Sequence, residues 1–289
     1  NVKRFPKPGE TLHINQAQKE FGGGKGANQA IAASRLATDT TFISKVGKDG
    51  NANFILEDFK KAGIHTQYIL TSESEETGQA FITVDEAGQN TILVYGGANM
   101  TLSATDVEMS VDAFIGADFV VAQLEVPFEA IEQAFKIARK QNITTVLNPA
   151  PAIELPKSLL ELTDIIIPNE TEAELLTGIS INNESDMKET ATYFLDLGIS
   201  AVLITLGEQG TYCAYQEQYK MIPACNVKAI DTTAAGDTFI GAFLSELNKD
   251  LSNLESAIRL ANQASSLTVQ RKGAQASIPT RKEVEAEYN

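Results

Sequence analysis

Between residues 117 and 222, short apolar runs alternate with helix-forming stretches, and this rhythm restricts the fold more than any other feature of the 289 residues. The runs at 117–124, 144–147, 164–167 and 201–206 read as strands, and 128–141, 171–177 and 184–197 read as the helices between them. Strand–helix alternation builds a largely parallel sheet with helices on its faces. The rhythm starts with a helix at 29–37, a strand at 41–46, a helix at 51–62 and a strand at 67–70. It closes with strands at 211–215 and 219–222 and helices after residue 236 and at 257–269. The expectation is an α/β protein with residues 1–289 forming one domain.

Two segments break the rhythm. Residues 79–84 and 91–95 flank a turn at 86–90, as a hairpin does, and 11–18 alternates weakly as a strand exposed on one face would. Together, strands from about 10–20 and 78–96 are expected to form a small separate sheet, a lid over a cleft. Residues 1–10 read as a connecting loop, so the apolar strand that usually opens such a sheet is expected upstream of them.

Composition narrows the ligands. A net charge of −15 with no Lys/Arg cluster argues against a nucleic-acid surface. A polyanion must then be held by local amides, a few cationic groups and metal ions. No apolar run approaches the ~20 residues of a membrane span. A basic-then-apolar leader is not seen, so a cytoplasmic protein is expected. Cys213 and Cys225 match no metal spacing and read as free thiols in a reducing compartment.

Four stretches carry the candidate chemistry. In residues 230–239, an apolar segment ends near Ile230, small residues follow, and a helix begins after Gly236. A helix N-terminus offers unpaired N–H donors and a partial positive charge, so it attracts anions. Asp237 has two readings. It caps the helix, or it is a carboxylate kept ionised by that field, beside an anion pocket, as phosphoryl transfer requires. Residues 21–28 form a glycine-rich turn into a helix, with Lys25 and Asn28 aimed at whatever the turn cradles. The match of Gly22, Gly24 and Ala27 to a dinucleotide fingerprint is weak because a polar segment precedes it, and Gly26 after Lys25 breaks the P-loop pattern. Glu125, Asn169 and Glu172 sit at the C-terminal ends of strands, where open α/β sheets bind ligands. For Glu172 an acidic helix start is the other reading. The glycines of 205–210 either make an ordinary turn or pass a ribose or phosphate.

In this order the motifs resemble those of the ribokinase family of sugar kinases, which also holds fructokinases and adenosine kinases. The resemblance covers the whole chain. Residues 23–30 are similar to the family's N-terminal signature in its ribokinase form, 231–239 to its C-terminal signature, and 271–275 falls where expected. The resemblance implies a three-layer α/β/α fold with a small β-sheet lid, and ATP-dependent phosphorylation of D-ribose at its 5-hydroxyl. It implies that Asp237 is the general base and that Ala234, Ala235 and Gly236 form the anion hole. Gly24, Lys25, Asn28 and Glu125 would bind the sugar. Asn169, Thr205, Gly207, Gly210, Gly236 and Asn262 would bind ATP. Glu172 would order the hydration shell of Mg²⁺. Asp231, Thr233, Thr268, Arg271, Gly273 and Ser277 match positions that hold an activating K⁺, several through main-chain carbonyls. An Asn and an Asp that grip the sugar would lie on the opening strand, before residue 1. Lids of two subunits would clasp into a homodimer. Sister kinases acting on fructose, a keto-deoxy sugar acid or a nucleoside are alternatives, as is a sugar-binding homologue without catalysis.

Overall fold

The computed structural model describes residues 2, 4–12, 22–86 and 90–288. Helix α1 (Lys25–Arg35) comes first, then strand β1 (Ser44–Val46), helix α2 (Gly50–Ala62) and strand β2 (Ile69–Thr71). Strands β3 (Gln79–Val84) and β4 (Asn90–Tyr95) form the hairpin, and helix α3 (Ala104–Met109) follows. The alternating part comprises β5 (Phe119–Ala122), α4 (Phe128–Lys140), β6 (Thr144–Leu147), α5 (Lys157–Leu160), β7 (Ile165–Ile166), α6 (Glu170–Thr177), α7 (Glu184–Asp196) and β8 (Ala201–Thr205). After it come β9 (Thr211–Tyr215), β10 (Gln218–Ile222), α8 (Ala235–Glu246), α9 (Leu254–Thr268) and α10 (Arg281–Tyr288).

The main sheet has the order β10-β9-β8-β7-β6-β5. Strands β5 to β8 pair in parallel, and β9 and β10 are added antiparallel. Successive side chains face opposite sides of a strand, and the core divides accordingly. Ile165, Ala201 and Leu203 pack on one side against Phe239 and Phe243 of α8 and Ile258 of α9. Ile166, Val202 and Ile204 pack on the other side against Phe135 of α4 and Phe194 of α7. The result is the expected three layers. Strands β1 and β2 form a separate parallel pair, Ser44 opposite Ile69.

The hairpin is as expected, with Phe81 opposite Leu93 and Ile82 opposite Ile92. Of the other expected lid strand, Thr11 and Leu12 are irregular, and 13–20 lie outside the described residues. Helix α1 starts four residues before the expected helix. Gly24, at φ 85°, turns the chain so that Lys25 and Gly26 already belong to the first helical turn. The expected strand at 164–167 shrinks to two residues, flanked by Asp164 bonded to Thr145 and Pro168 bonded to Thr205.

Helices α3, α5 and α10 have no forewarning in the apolar pattern. Helix α3 depends on a capping box between Ser103 and Asp106. Helix α10 buries only Val284 and is held by ion pairs from Arg281 to Glu246 and Glu285. Among the described residues, no helix is long and apolar enough to cross a membrane.

Candidate active site

Two helix N-termini meet at one place. Helices α1 and α8 run side by side in the same direction: residues 28 and 29 touch Asp237, and one turn later Ala32 and Ala33 abut Gly241. Their positive ends therefore lie side by side, where an anion is favoured. The approach is close because Gly241 carries no side chain; a Cβ there would stand 2.6 Å from Ala33 N and 2.9 Å from Ala32 C.

Asp237 sits in the first turn of α8 but caps nothing. Its Oδ2 accepts from Asn28 Nδ2 at 2.9 Å, and its Oδ1 accepts from Gln29 Nε2 at 3.1 Å. The capping reading is thereby removed. The expectation that the helix field simply keeps it ionised also needs correction. Asp237 is 8% exposed, and burial pushes its carboxyl above the usual value, opposed by the Asn28 and Gln29 donors and the charge of Lys25. Ala234 stands before the helix at φ 61°, a strained position for a residue with a side chain. Of the three expected anion-hole amides, that of Ala235 donates to Thr232 O at 3.2 Å, and Gly236 borders open space.

The expected sugar groups gather around this carboxylate. Asn28 is buried, and its Oδ1 has no donor, which suits it to accept from a hydroxyl. Lys25 N donates to Glu125 Oε2 at 2.7 Å, and the glycine at position 24 supplies the φ of 85° that turns the chain toward that carboxylate. Burial raises the pKa of Glu125 against the Lys25 amide and charge, and the charge of Asp237 raises it further. Gln29 and Gln123, to which the sequence reading assigned no role, join the cluster: Gln123 Nε2 donates to Gln29 Oε1.

At the end of β7, Asn169 and Glu172 bind each other. Asn169 N and Nδ2 donate to the Glu172 carboxylate at 2.9 and 3.0 Å, and Glu172 N donates back to Asn169 Oδ1 at 2.8 Å. Glu172 is buried, and burial lifts its pKa, so it is more than a solvated helix start. Thr205 bridges to Asn169, which brings the 205–210 turn to the same rim. Gly207 and Gly210 both take positive φ, 53° and 111°, and a Cβ at Gly210 would strike the backbone of 222–224. Asn262 is fully engaged. It accepts from Thr211 Oγ1 and donates to the carbonyls of Ile222 and Pro223, so its amide braces the end of β10.

The expected cation loops also come together. Asp231 Oδ1 accepts from Thr233 N and Oγ1, and its Oδ2 accepts from Gly273 N at 3.0 Å. Burial alone would raise its pKa; these donors, with the charge of Lys272, hold it below the usual value. The hydroxyls of Thr268 and Ser277 are committed to Thr238 and to Ala274 O, and the Arg271 side chain pairs with Glu283. A hydroxyl that donates its proton keeps its lone pairs, so these hydroxyl oxygens and the Asp231 carboxylate are donors of the kind a hard ion takes. A divalent ion fits differently. Among the described residues no cluster of three or more His, Cys, Asp or Glu could hold a metal ion by itself, so a divalent ion beside Glu172 would take most of its oxygens from the ligand and from water.

This fold and site define a small-molecule phosphotransferase of the α/β type. The family model described as "pfkB family carbohydrate kinase" matches residues 1–281, and the chain belongs to that family. A ribokinase of Staphylococcus aureus (strain COL) is 64% identical over 283 residues, covering 98% of this chain and 93% of that protein. A ribokinase of Haemophilus influenzae is 44% identical, covering 98% and 92%. The solved structure of Arabidopsis thaliana ribokinase complexed with ribose and ATP superposes with a TM-score of 0.89 at 33% identity, covering 99% of this chain and 94% of that chain.

Proposed function

We propose that this protein transfers the γ-phosphoryl group of ATP to the 5-hydroxyl of D-ribose, giving ribose 5-phosphate. The observation that carries the reading is the buried Asp237 carboxylate, held by two amide donors where two helix N-termini converge. Phosphoryl transfer asks mainly for positioning and charge stabilisation. Asp237 takes the proton of the primary hydroxyl, and a carboxyl whose pKa is raised by burial is a stronger base near neutral pH. Asn28, Lys25, Gly24 and Glu125 hold the remaining sugar hydroxyls. The amides of residues 234–236 receive the charge of the moving group, that of Ala235 giving up its bond to Thr232 O to do so.

Asn169, Thr205, Gly207 and Gly210 line the path of ATP, and Asn262 shapes the wall beside the adenine. A Mg²⁺ ion, carried by the nucleotide phosphates and ordered through water by Glu172, would supply charge neutralisation. K⁺ between the 231–233 and 268–277 loops would steady the anion hole. Residues 1–289 form one catalytic domain, and the hairpin lid closes over the sugar and keeps out water.

The hairpin exposes Phe81, Ile82, Ile92, Leu93 and Val94, each more than half accessible. Apolar surface on both sides of a two-stranded ribbon favours a partner, and the reading is a homodimer through the lids. The free thiols Cys213 and Cys225 accord with a cytoplasmic location.

The test is a panel of ribose, fructose, a keto-deoxy sugar acid and adenosine, assayed for ADP release. Ribose should give the highest kcat/KM. A higher value for any other acceptor would overturn the assignment, and binding of ribose without turnover would make the protein a sugar-binding homologue.

A further inference from the structure

Asp237 is met on both oxygens by N–H groups, and the second of these belongs to a buried relay of side-chain amides. Gln29 is 3% exposed and has a partner for both N–H donors and for its carbonyl oxygen. Nε2 donates to Asp237 Oδ1 and to Asn148 Oδ1, both at 3.1 Å, and Oε1 accepts from Gln123 Nε2. Asn148, also buried, donates from Nδ2 to Ile167 O at 3.0 Å. A side-chain amide can face a neighbour with either its oxygen or its nitrogen. Here that choice is removed step by step. The Ile167 carbonyl can only accept, so Asn148 must turn Nδ2 toward it and Oδ1 toward Gln29. Gln29 must then present Nε2, and its Oε1 is left for Gln123.

We propose that Gln29 is the positioning residue for Asp237, and that the Ile167 carbonyl, acting through Asn148, fixes the relay so that an N–H always faces the base. The proposal rests on the reading of Asp237 as the base. A carboxylate faced only by donors is stabilised in its charged form, and its proton would meet no acceptor. The relay therefore offsets the burial that disfavours the charge, and it aims the carboxylate across the N-terminus of α8. It draws on the C-terminal ends of three adjacent strands, β5 (Gln123), β6 (Asn148) and β7 (Ile167), so the sheet itself sets the orientation.

The other groups facing Asp237 are few. Lys25 of α1 favours its ionised form, and the carboxylates of Glu125 and Glu172 repel it. Helix α9 brings the hydroxyls of Ser265 and Thr268 to the same turn of α8, and these are uncharged. Replacing the Gln29 donor should thus move the Asp237 titration, while Glu125 and Glu172, which Gln29 does not touch, keep their own hydrogen bonds.

The experiment compares wild type with Gln29→Met, which keeps the length of the side chain and removes its donors. Two readouts are taken: the acid limb of the kcat/KM pH profile with ribose and ATP, and the carboxyl-carbon NMR titration of Asp237, assigned by its loss in Asp237→Asn. Both should shift up by about one pH unit, the scale of one hydrogen bond to a charged group. On the acid side of the limb, kcat/KM falls about tenfold. Gln29→Glu, which sets an acceptor against Asp237, should shift the titration further.

If Gln29→Met does not fold, Gln123→Met leaves Gln29 anchored at one end and should give a smaller shift in the same direction. An unmoved NMR titration in a folded variant would overturn the relay whatever the activity. A moved titration together with full turnover in Asp237→Asn would uphold the relay and remove Asp237 as the base, so the two failures are distinguishable.

Discussion

Gly241→Ala is the smallest change that should separate the two halves of the active site. In an exposed helix interior this substitution gains about 1 kcal/mol of helix propensity. Here the added Cβ lies 2.6 Å from Ala33 N and 2.9 Å from Ala32 C. Both are backbone atoms, and neither can swing aside. Restoring an ordinary contact of about 3.5 Å requires α1 and α8 to part by roughly 1 Å. The bonds from Asn28 and Gln29 to Asp237, at 2.9 and 3.1 Å, lie one turn away across the same interface. A similar displacement there would take both beyond hydrogen-bonding distance.

Overpacking costs about 1–3 kcal/mol, so after the propensity gain the net loss of stability is roughly 0–2 kcal/mol. The loss in catalysis is larger, because a misplacement of about 1 Å can cost on the order of 10²-fold. The assay pairs thermal unfolding with steady-state kinetics. The expected result is a Tm lower by no more than about 8 °C and a kcat lower by at least about tenfold. A variant with wild-type kcat and an unchanged or raised Tm would show that the helix contact does not hold the site together.

Three further outcomes are expected. Asp49 accepts from Thr77 N and Oγ1 at the base of the hairpin and also from Asn51 N and Ala52 N of α2. Burial alone would raise its pKa, but these bonds hold it below the usual value. Its stabilisation is therefore present above the ordinary carboxylate pKa and is lost as the pH falls through the depressed one. The Tm difference between wild type and Asp49→Ala should be widest near neutral pH and shrink toward acid; a gap constant over that range would refute this. Replacing Leu93 and Val94 with Lys should convert the proposed dimer to a monomer in light scattering without lowering the unfolding temperature by more than a few degrees, and an unchanged mass would exclude the lid as the interface. Burial pushes the Cys213 thiol up to about 12, so alkylation of the native protein at pH 8 should spare Cys213 until denaturant is added; rapid native labelling would contradict its burial.

Much of the architecture was legible because the strands of the main sheet are apolar runs with turn residues at their ends. Strands 144–147 and 211–215 fall where the pattern puts them. What escaped depends on local bonds or on distant partners. Helix α10 is short, buries a single Val and is held by charges, so the apolar pattern carries no trace of it. The glycine of the first turn of α1 looks like a breaker in sequence, yet Gly26 is small because Gln123 lies 2.8 Å from where its Cβ would be.

Asp237 could not be resolved between cap and base from sequence, since both roles favour Asp in a first turn. The partners that exclude the cap are Asn28 and Gln29, 209 and 208 residues away. Gln29 lies within the 23–30 signature, but its partnership with Asp237 left no trace there; only the fold brings the two together.

The most direct measurement is the single-turnover rate of phosphoryl transfer from ATP to ribose in Asp237→Asn, with ATP affinity determined on the same preparation. The substitution keeps the shape of the side chain and removes its basicity. The expected result is a rate lower by at least ~10²-fold, on the scale of general-base catalysis, with ATP binding nearly unchanged. A transfer rate equal to that of the unaltered protein would contradict the central claim that this carboxylate takes the proton from the sugar.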